Sequence, residues 1–116
     1  MTKHLDLFTV QVTETIRTAM EKITTNKHRA VVVLDGRTVV GVVSDGDIRR
    51  AFLNEILPIA PVEKIMNLNC RVTTERDPAK VEEALRHEQV TVLPVVDSQQ
   101  QLIDVALAYE PFTGTS

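Results

Sequence analysis

The chain runs through nearly the same pattern twice. Residues 29–35 read RAVVVLD and residues 91–97 read TVLPVVD, so Asp35 and Asp97 close matching runs 62 positions apart. Each run follows a stretch of helical periodicity: Ile16, Ala19, Met20 and Ile23 in the first half, Val81, Ala84 and Leu85 in the second. Setting Ile16, Ala19 and Met20 on Val81, Ala84 and Leu85 offsets the helices by 65 positions, and the difference is assigned to a longer loop, TTNKHR, in the first half. With 116 residues in all, neither unit buries a good core alone. Their apolar faces must therefore cover one another.

The elements follow from pattern and punctuation. Thr13 to Ile23 predicts a helix with Thr13 as N-cap. The β-branched runs around Asp35-Gly36-Arg37 predict a hairpin, and their near-continuous valine predicts strands covered on both faces. A second helix is expected from Asp47 to about Leu57, along Ile48, Ala51, Phe52 and Glu55. Pro58 and Pro61 close it and divide the chain into units 1–57 and 58–116. In the second unit, Val62 to Met66 predicts a short helix leading into extended CRVTT. Asp77-Pro78 opens a helix, and VTVLPVVD and LIDVALAY read as strands. The fold class is α/β in the broad sense, an α+β arrangement of two small sheets packed on helices.

Composition removes several functions. Hydrophobic residues are 43% and charged residues 25%, the balance of a soluble globular domain. A formal net charge of -3 argues against a nucleic-acid binder, and 3% aromatic residues with no Trp leave no stacking platform for bases. Cys70 is the only cysteine, so an intramolecular disulfide is impossible and a cytoplasmic setting is expected. No apolar run is long enough for a membrane span, and MTKHLDLF lacks a signal-peptide pattern. His4, His28 and His87 are scattered without metal-ligand spacing, so no metal or required cofactor is expected. Ser44 does not stand in a nucleophile elbow, so the chain is read as no enzyme in itself. Cys70, Met20 and Met66 read as core.

The chemistry concentrates in VVGVVSDGDIRRAF, residues 39–52, where an apolar strand passes into a charged helix almost without a loop. Ser44 and Asp47 form a variant capping box. The free amides of the same helix start also favour an anion, and Gly46 permits close backbone approach. Arg49 and Arg50 sit where positive charge opposes the helix dipole, which fits either a bound anion or acidic neighbours. Local physics leaves both a cap and a ligand site open.

VVVLDGRTVVGVVSDGDIRRAF resembles a CBS domain, and two such units in tandem resemble a Bateman module, a pair related by pseudo-two-fold symmetry. SDGDIRR is similar to CBS pairs attached to bacterial sugar enzymes, namely arabinose-5-phosphate isomerases and sugar-phosphate nucleotidyltransferases. Its place near Met1 resembles the regulatory front end of the latter. The resemblance implies that Ser44 and nearby amides meet phosphate while Asp47 accepts hydrogen bonds from ribose. It implies phosphate contacts for His28 and Arg29, and a cleft lining from Thr74, Ala84 and Leu93 of the opposite repeat. Arg49 and Arg50 join the candidate site. In the second repeat DVALAYEP puts Leu107 and Glu110 where Ser44 and Asp47 stand, so one nucleotide per chain is expected, and the closing helix is short or missing. The implied ligand is AMP, ADP or ATP, and the implied partners are a second copy in a homodimer and an attached catalytic domain. A ligand-free dimerisation module driven by Phe52 and Leu53, or a sensor of a CMP- or GDP-sugar, are the alternatives.

Overall fold

A computed structural model of the chain describes residues 5–110. His4 and the end of the second repeat from Pro111 onward, the place of the expected shortened closing helix, lie outside the described residues.

A 3-10 turn at Leu5–Leu7 leads into β1 (Thr9–Gln11), followed by α1 (Ile16–Asn26), β2 (Ala30–Asp35), β3 (Thr38–Ser44) and α2 (Asp45–Leu53). A 3-10 turn at Val62–Lys64 precedes α3 (Pro78–Glu88), β4 (Val92–Val96) and β5 (Leu102–Leu107). The first sheet has the order β1-β2-β3, with β1 parallel and β3 antiparallel to β2; the second is the antiparallel pair β4-β5. The fold is small, α+β and mixed in its strand directions.

The two sheets lie face to face, and every apolar cluster reflects that. Ala30, Val32 and Leu34 on one face of β2 pack with Val92, Val96, Val105 and Leu107 of the second sheet. The other face of β2, Val31 and Val33, meets Ile16, Ala19 and Ile23 of α1 and Ile48 of α2. Likewise Leu93, Val95 and Ala106 face Val81 and Leu85 of α3. The layers are therefore helix, sheet, sheet, helix, and of the two strands expected to be covered on both faces β2 is, as is β4 of the second sheet, while β3 is not. β3 differs: its residues alternate between buried and half-buried, because it lies at the flank of the first sheet.

The helix expectations need correcting at their ends. The N-cap of α1 is Thr15, not Thr13, and its side chain accepts from Thr18 N–H. The amides of Ile16 and Arg17 are satisfied by the carbonyls of Ala60 and Pro58, so the segment after α2 completes the cap. α1 also runs on to Asn26, so TTN is helix rather than loop. Asn26 is buried and its side chain donates to the carbonyls of Leu7 and Ala30, which fixes the helix end in place. With helices at Ile16–Asn26 and Pro78–Glu88, the true offset is 62 throughout this region, and the partners of Val81 and Leu85 are Ala19 and Ile23. α2 starts at Asp45 and stops at Leu53, four residues short of Leu57.

The hairpins share a further detail. Each carries a register shift at the equivalent place, between Val33 and Leu34 in one and Val95 and Val96 in the other. The extra residue, Val40 or Ile103, re-aims the rest of its strand. Their turns differ: Asp35 pairs with Thr38 across Gly36-Arg37, with Gly36 at φ +66° in the left-handed region. The tips of the two hairpins are joined by backbone bonds, Val39 N–H to Gln100 C=O and Leu102 N–H to Arg37 C=O.

Candidate functional site

The site is built at the opposite end of the hairpins from those tips. Ala30 pairs with Ser44 at the end of the first hairpin, and Val92 pairs with Leu107 at the end of the second. Ala30, Val92 and Leu107 belong to the layer between the sheets. Ser44 shares its face with Ala30, since paired residues of an antiparallel ladder point the same way. The last inward position of β3 is thus a hydroxyl at the mouth of an apolar layer.

Ser44 is also the N-cap of α2. Its Oγ accepts from Asp47 N–H at 3.3 Å, and its own N–H donates to Asp47 Oδ2 at 2.8 Å, the reciprocal pair of a capping box. The Ser44 hydroxyl additionally contacts Asp47 Oδ2 at 2.9 Å. Asp47 Oδ1 receives Arg50 Nη2 at 2.6 Å.

Facing this junction is chain that the sequence pattern does not single out. Asn67 pairs with Val42 of β3, with N–H to O distances of 2.8 and 3.2 Å. Gly41 allows the crossing, because a Cβ there would sit 3.0 Å from the Asn67 carbonyl and 3.1 Å from the Met66 side chain. Asn69, Cys70 and Arg71 come next in the chain, and Arg71 pairs with Glu88 at 3.3 Å. Burial pushes the Cys70 thiol above its ordinary range, against a smaller opposing backbone hydrogen bond.

A cleft of about 600 Å³ lies between these segments. Its polar lining includes Arg29, Ser44, Asp47 and Arg50 of the first hairpin and α2, Asn69 and Arg71 of the crossing chain, and Glu88 and Thr91 before β4, over an apolar floor that includes Ala30, Val42 and Val92. The volume is that of a small-molecule pocket, and the lining brings many polar groups together around a smaller apolar floor. Of the residues singled out by sequence, Ser44, Asp47, Arg29 and Arg50 meet here.

The others are placed elsewhere. Arg49 is exposed on α2 outside the lining, and Thr74 is exposed beyond the cleft. Ala84 packs with the α3 cluster, and Leu93 is fully buried on the helix side of β4, facing away from the space between the sheets. His28 points to the far side of the seam. Its Nδ1 lies 2.7 Å from Asn26 C=O, and its Nε2 lies 3.2 Å from Ala108 C=O and 3.1 Å from Glu110 Oε2, while the ring stands edge-on to Phe8. The equivalent of His28 at the 62-residue offset is Val90, which lines the open cleft. Mapping residues 26–30 across that offset would have marked Glu88, Val90 and Thr91 as lining residues from sequence alone.

A second cavity, also about 600 Å³, lies on the helix side of the second sheet between α3 and the end of β5. Leu85, Val90, Leu107, Ala108 and Tyr109 make it largely apolar, and none of its described lining residues belongs to a capping box. Among the described residues no cluster of His, Cys, Asp and Glu is arranged to hold a metal ion, and no helix is long and apolar enough to cross a membrane.

Two face-to-face sheets flanked by helices, with a cleft at the start of α2, make a layered α+β fold. Residues 1–54 match the family model of the CBS domain. A comparison with curated proteins finds no match. Among solved structures, a CBS domain protein from Pyrobaculum aerophilum complexed with AMP is 23% identical with a TM-score of 0.67, covering 91% of this chain and 90% of that one. CBSX2 in complex with AMP is 24% identical with a TM-score of 0.71, covering 93% and 86%. A CBS domain pair/ACT domain protein from Thermotoga maritima is 19% identical with a TM-score of 0.72, covering 91% and 85%. The fold of the described chain is that of CBS domain proteins, and the sequence match in its first half together with that fold supports a CBS domain pair, the Bateman module.

Proposed function

We propose that the chain is a regulatory module, made of CBS repeats 1–57 and 58–116, that senses an adenine nucleotide in the cleft and is not itself an enzyme. The observation that carries this reading is the cleft: a capped helix start with Ser44 and Asp47, faced by Arg71 and flanked by Arg29 and Arg50, over an apolar floor. Amides and guanidiniums suit phosphate, a carboxylate suits a ribose diol, and Val42, Val90 and Val92 offer a surface for a base. Two of the similar structures are complexes with AMP, which supports AMP, ADP or ATP as the ligand class here. The resemblance of SDGDIRR supports an attached catalytic domain, a sugar-phosphate nucleotidyltransferase, and the single cysteine of the sequence supports a cytoplasmic setting.

Phe52, Leu57 and Pro58 line a shallow depression after α2, and Leu53, Leu57 and Ile59 are more than 60% exposed. An apolar surface of this kind supports a homodimer of modules, either alongside ligand binding or instead of it.

Thermal melting with AMP, ADP, ATP, GTP, CMP and a nucleotide sugar separates the readings. A ligand at 100 times its dissociation constant stabilises by about 2.7 kcal/mol, and Asp47→Ala abolishes the shift. No shift with any compound, together with a stable dimer by light scattering, replaces the sensing module with a structural one. A shift with the nucleotide sugar alone moves the ligand to the product of the attached enzyme.

A further inference from the structure

Arg29 is held in a backbone conformation that arginine disfavours. The connections from α1 to β2 and from α3 to β4 are equivalent at the 62-residue offset, and each opens with a left-handed residue that ends its helix, Lys27 at φ +62° and Gln89 at φ +57°. The first connection alone adds another. Arg29 lies at φ +67°, whereas its counterpart Thr91 keeps φ out of the positive range. The bond to the following chain does not account for this, because Asp45 N–H to Arg29 C=O and Ala108 N–H to Thr91 C=O are the same bond in both halves.

What the first half adds is a bond one carbonyl earlier, from the Thr91 hydroxyl to His28 C=O at 2.5 Å. Turning φ of Arg29 moves the His28 carbonyl against the Arg29 carbonyl, so the two bonds together hold the angle. That angle is a burden for any residue with a Cβ and none for glycine. The residue bearing it is a long, exposed cation that lines the cleft. Of the arginines in that lining, Arg50 pairs with Asp47 and Arg71 with Glu88, while Arg29 has no carboxylate partner among the described residues. Stability alone favours glycine at this position. An unpaired guanidinium gives the fold no ion pair and suits an anion.

We propose that position 29 trades stability for binding: a strained backbone keeps an uncommitted guanidinium beside the cleft, where it meets the anionic group of the ligand. This rests on the nucleotide reading of the cleft and adds to it that one residue sets fold and affinity against each other.

The test compares the full chain with its Arg29→Gly, Arg29→Ala and Arg29→Lys variants, by thermal melting without ligand and by calorimetric titration with AMP, ATP and adenosine. Glycine and alanine both delete the guanidinium, but alanine still bears the backbone angle. Arg29→Gly is therefore expected to melt about 2–5 °C above Arg29→Ala. AMP and ATP are expected to bind both about tenfold more weakly, one charge-assisted bond being lost, while Arg29→Lys recovers part of the loss and adenosine is unaffected. A glycine variant that melts at or below the alanine variant overturns the trade. So does AMP held by both variants as tightly as by the wild type, or adenosine weakened as much as AMP. Each of these results leaves the nucleotide reading standing, whereas no binding of AMP or ATP to the wild type overturns both.

Discussion

The ends of the two hairpins, residues 44–47 and 107–110, occupy equivalent places and carry different side chains. Both close a hairpin with the same bulge, and both are pinned by the same backbone bond, Asp45 N–H to Arg29 C=O in one and Ala108 N–H to Thr91 C=O in the other. At the first, the inward residue is Ser44 and a cleft opens. At the second, the inward residue is Leu107, 3% exposed in the core between the sheets, and the seam is filled by His28, Ala108 and Glu110. What differs is the lining: the cavity at residues 44–47 carries the hydroxyl and carboxylate of a capping box, whereas the one lined by residues 107–110 is largely apolar.

Substitutions at these positions measure that division. The largest effect is expected for Leu107→Ser, which gives the second junction the hydroxyl of the first. Emptying a buried leucine costs about 2–5 kcal/mol, and urea unfolding should show it, whereas a loss under about 1 kcal/mol would mean the inter-sheet layer is not continuous core. Next comes His28→Ala, which strips the ring from Asn26, Ala108 and Glu110. A loss of about 1–3 kcal/mol is expected, and a melt unchanged from wild type would show that the seam does not hold the halves together. Ser44→Ala removes a cap and should cost about 1 kcal/mol, so the binding junction is the cheaper one to damage.

A fourth contrast is between the hairpin turns. Asp97 holds the second turn by accepting from Gln101 and Gln99 N–H, and these bonds, Gln101 first, keep its carboxyl below the ordinary carboxylate range. Glu75 is lowered likewise by the amides of Asp77 and Arg76. A depressed carboxyl stabilises the fold above its unfolded-state value and loses that contribution as pH falls through its folded-state value. Stability should therefore decline in acid, and Asp97→Asn should flatten part of that slope in pH-dependent melts. An identical slope would place the acid sensitivity elsewhere. The smallest signal expected is kinetic. Cys70 lines the cleft with its thiol raised by burial, so alkylation is slow and slows further with AMP bound; equal rates with and without nucleotide would put the ligand outside the cleft.

Much of this is written in the sequence where a local rule governs. Ser-x-x-Asp announces the capping box, Asp-Gly the hairpin, and Asp77-Pro78 the start of α3, because each is decided within four residues. The end of α1 is hidden because Thr24, Thr25 and Asn26 are poor helix formers and a tertiary contact, the buried amide of Asn26 bonded to Leu7 and Ala30, overrides them. Leu93 is unreadable for another reason. On a strand buried on both faces, alternation says which residues share a face but not what that face meets. Asn69 and Arg71 belong to no regular element, and tertiary contacts, the crossing at Gly41 and the Thr73 bonds to β4, bring them to the cleft.

The paired sheets behave like a book bound at one edge. At the hairpin tips the halves are stitched main chain to main chain, through Arg37, Val39, Gln100 and Leu102. At the open edge they are clasped by side chains, Thr91 onto the His28 carbonyl and the His28 ring onto Ala108 and Glu110. The cleft lies at that open edge, beside the clasp and farthest from the binding. A molecule lodged there would meet the side-chain clasp rather than the main-chain stitching, so the contacts it could exchange are the replaceable ones.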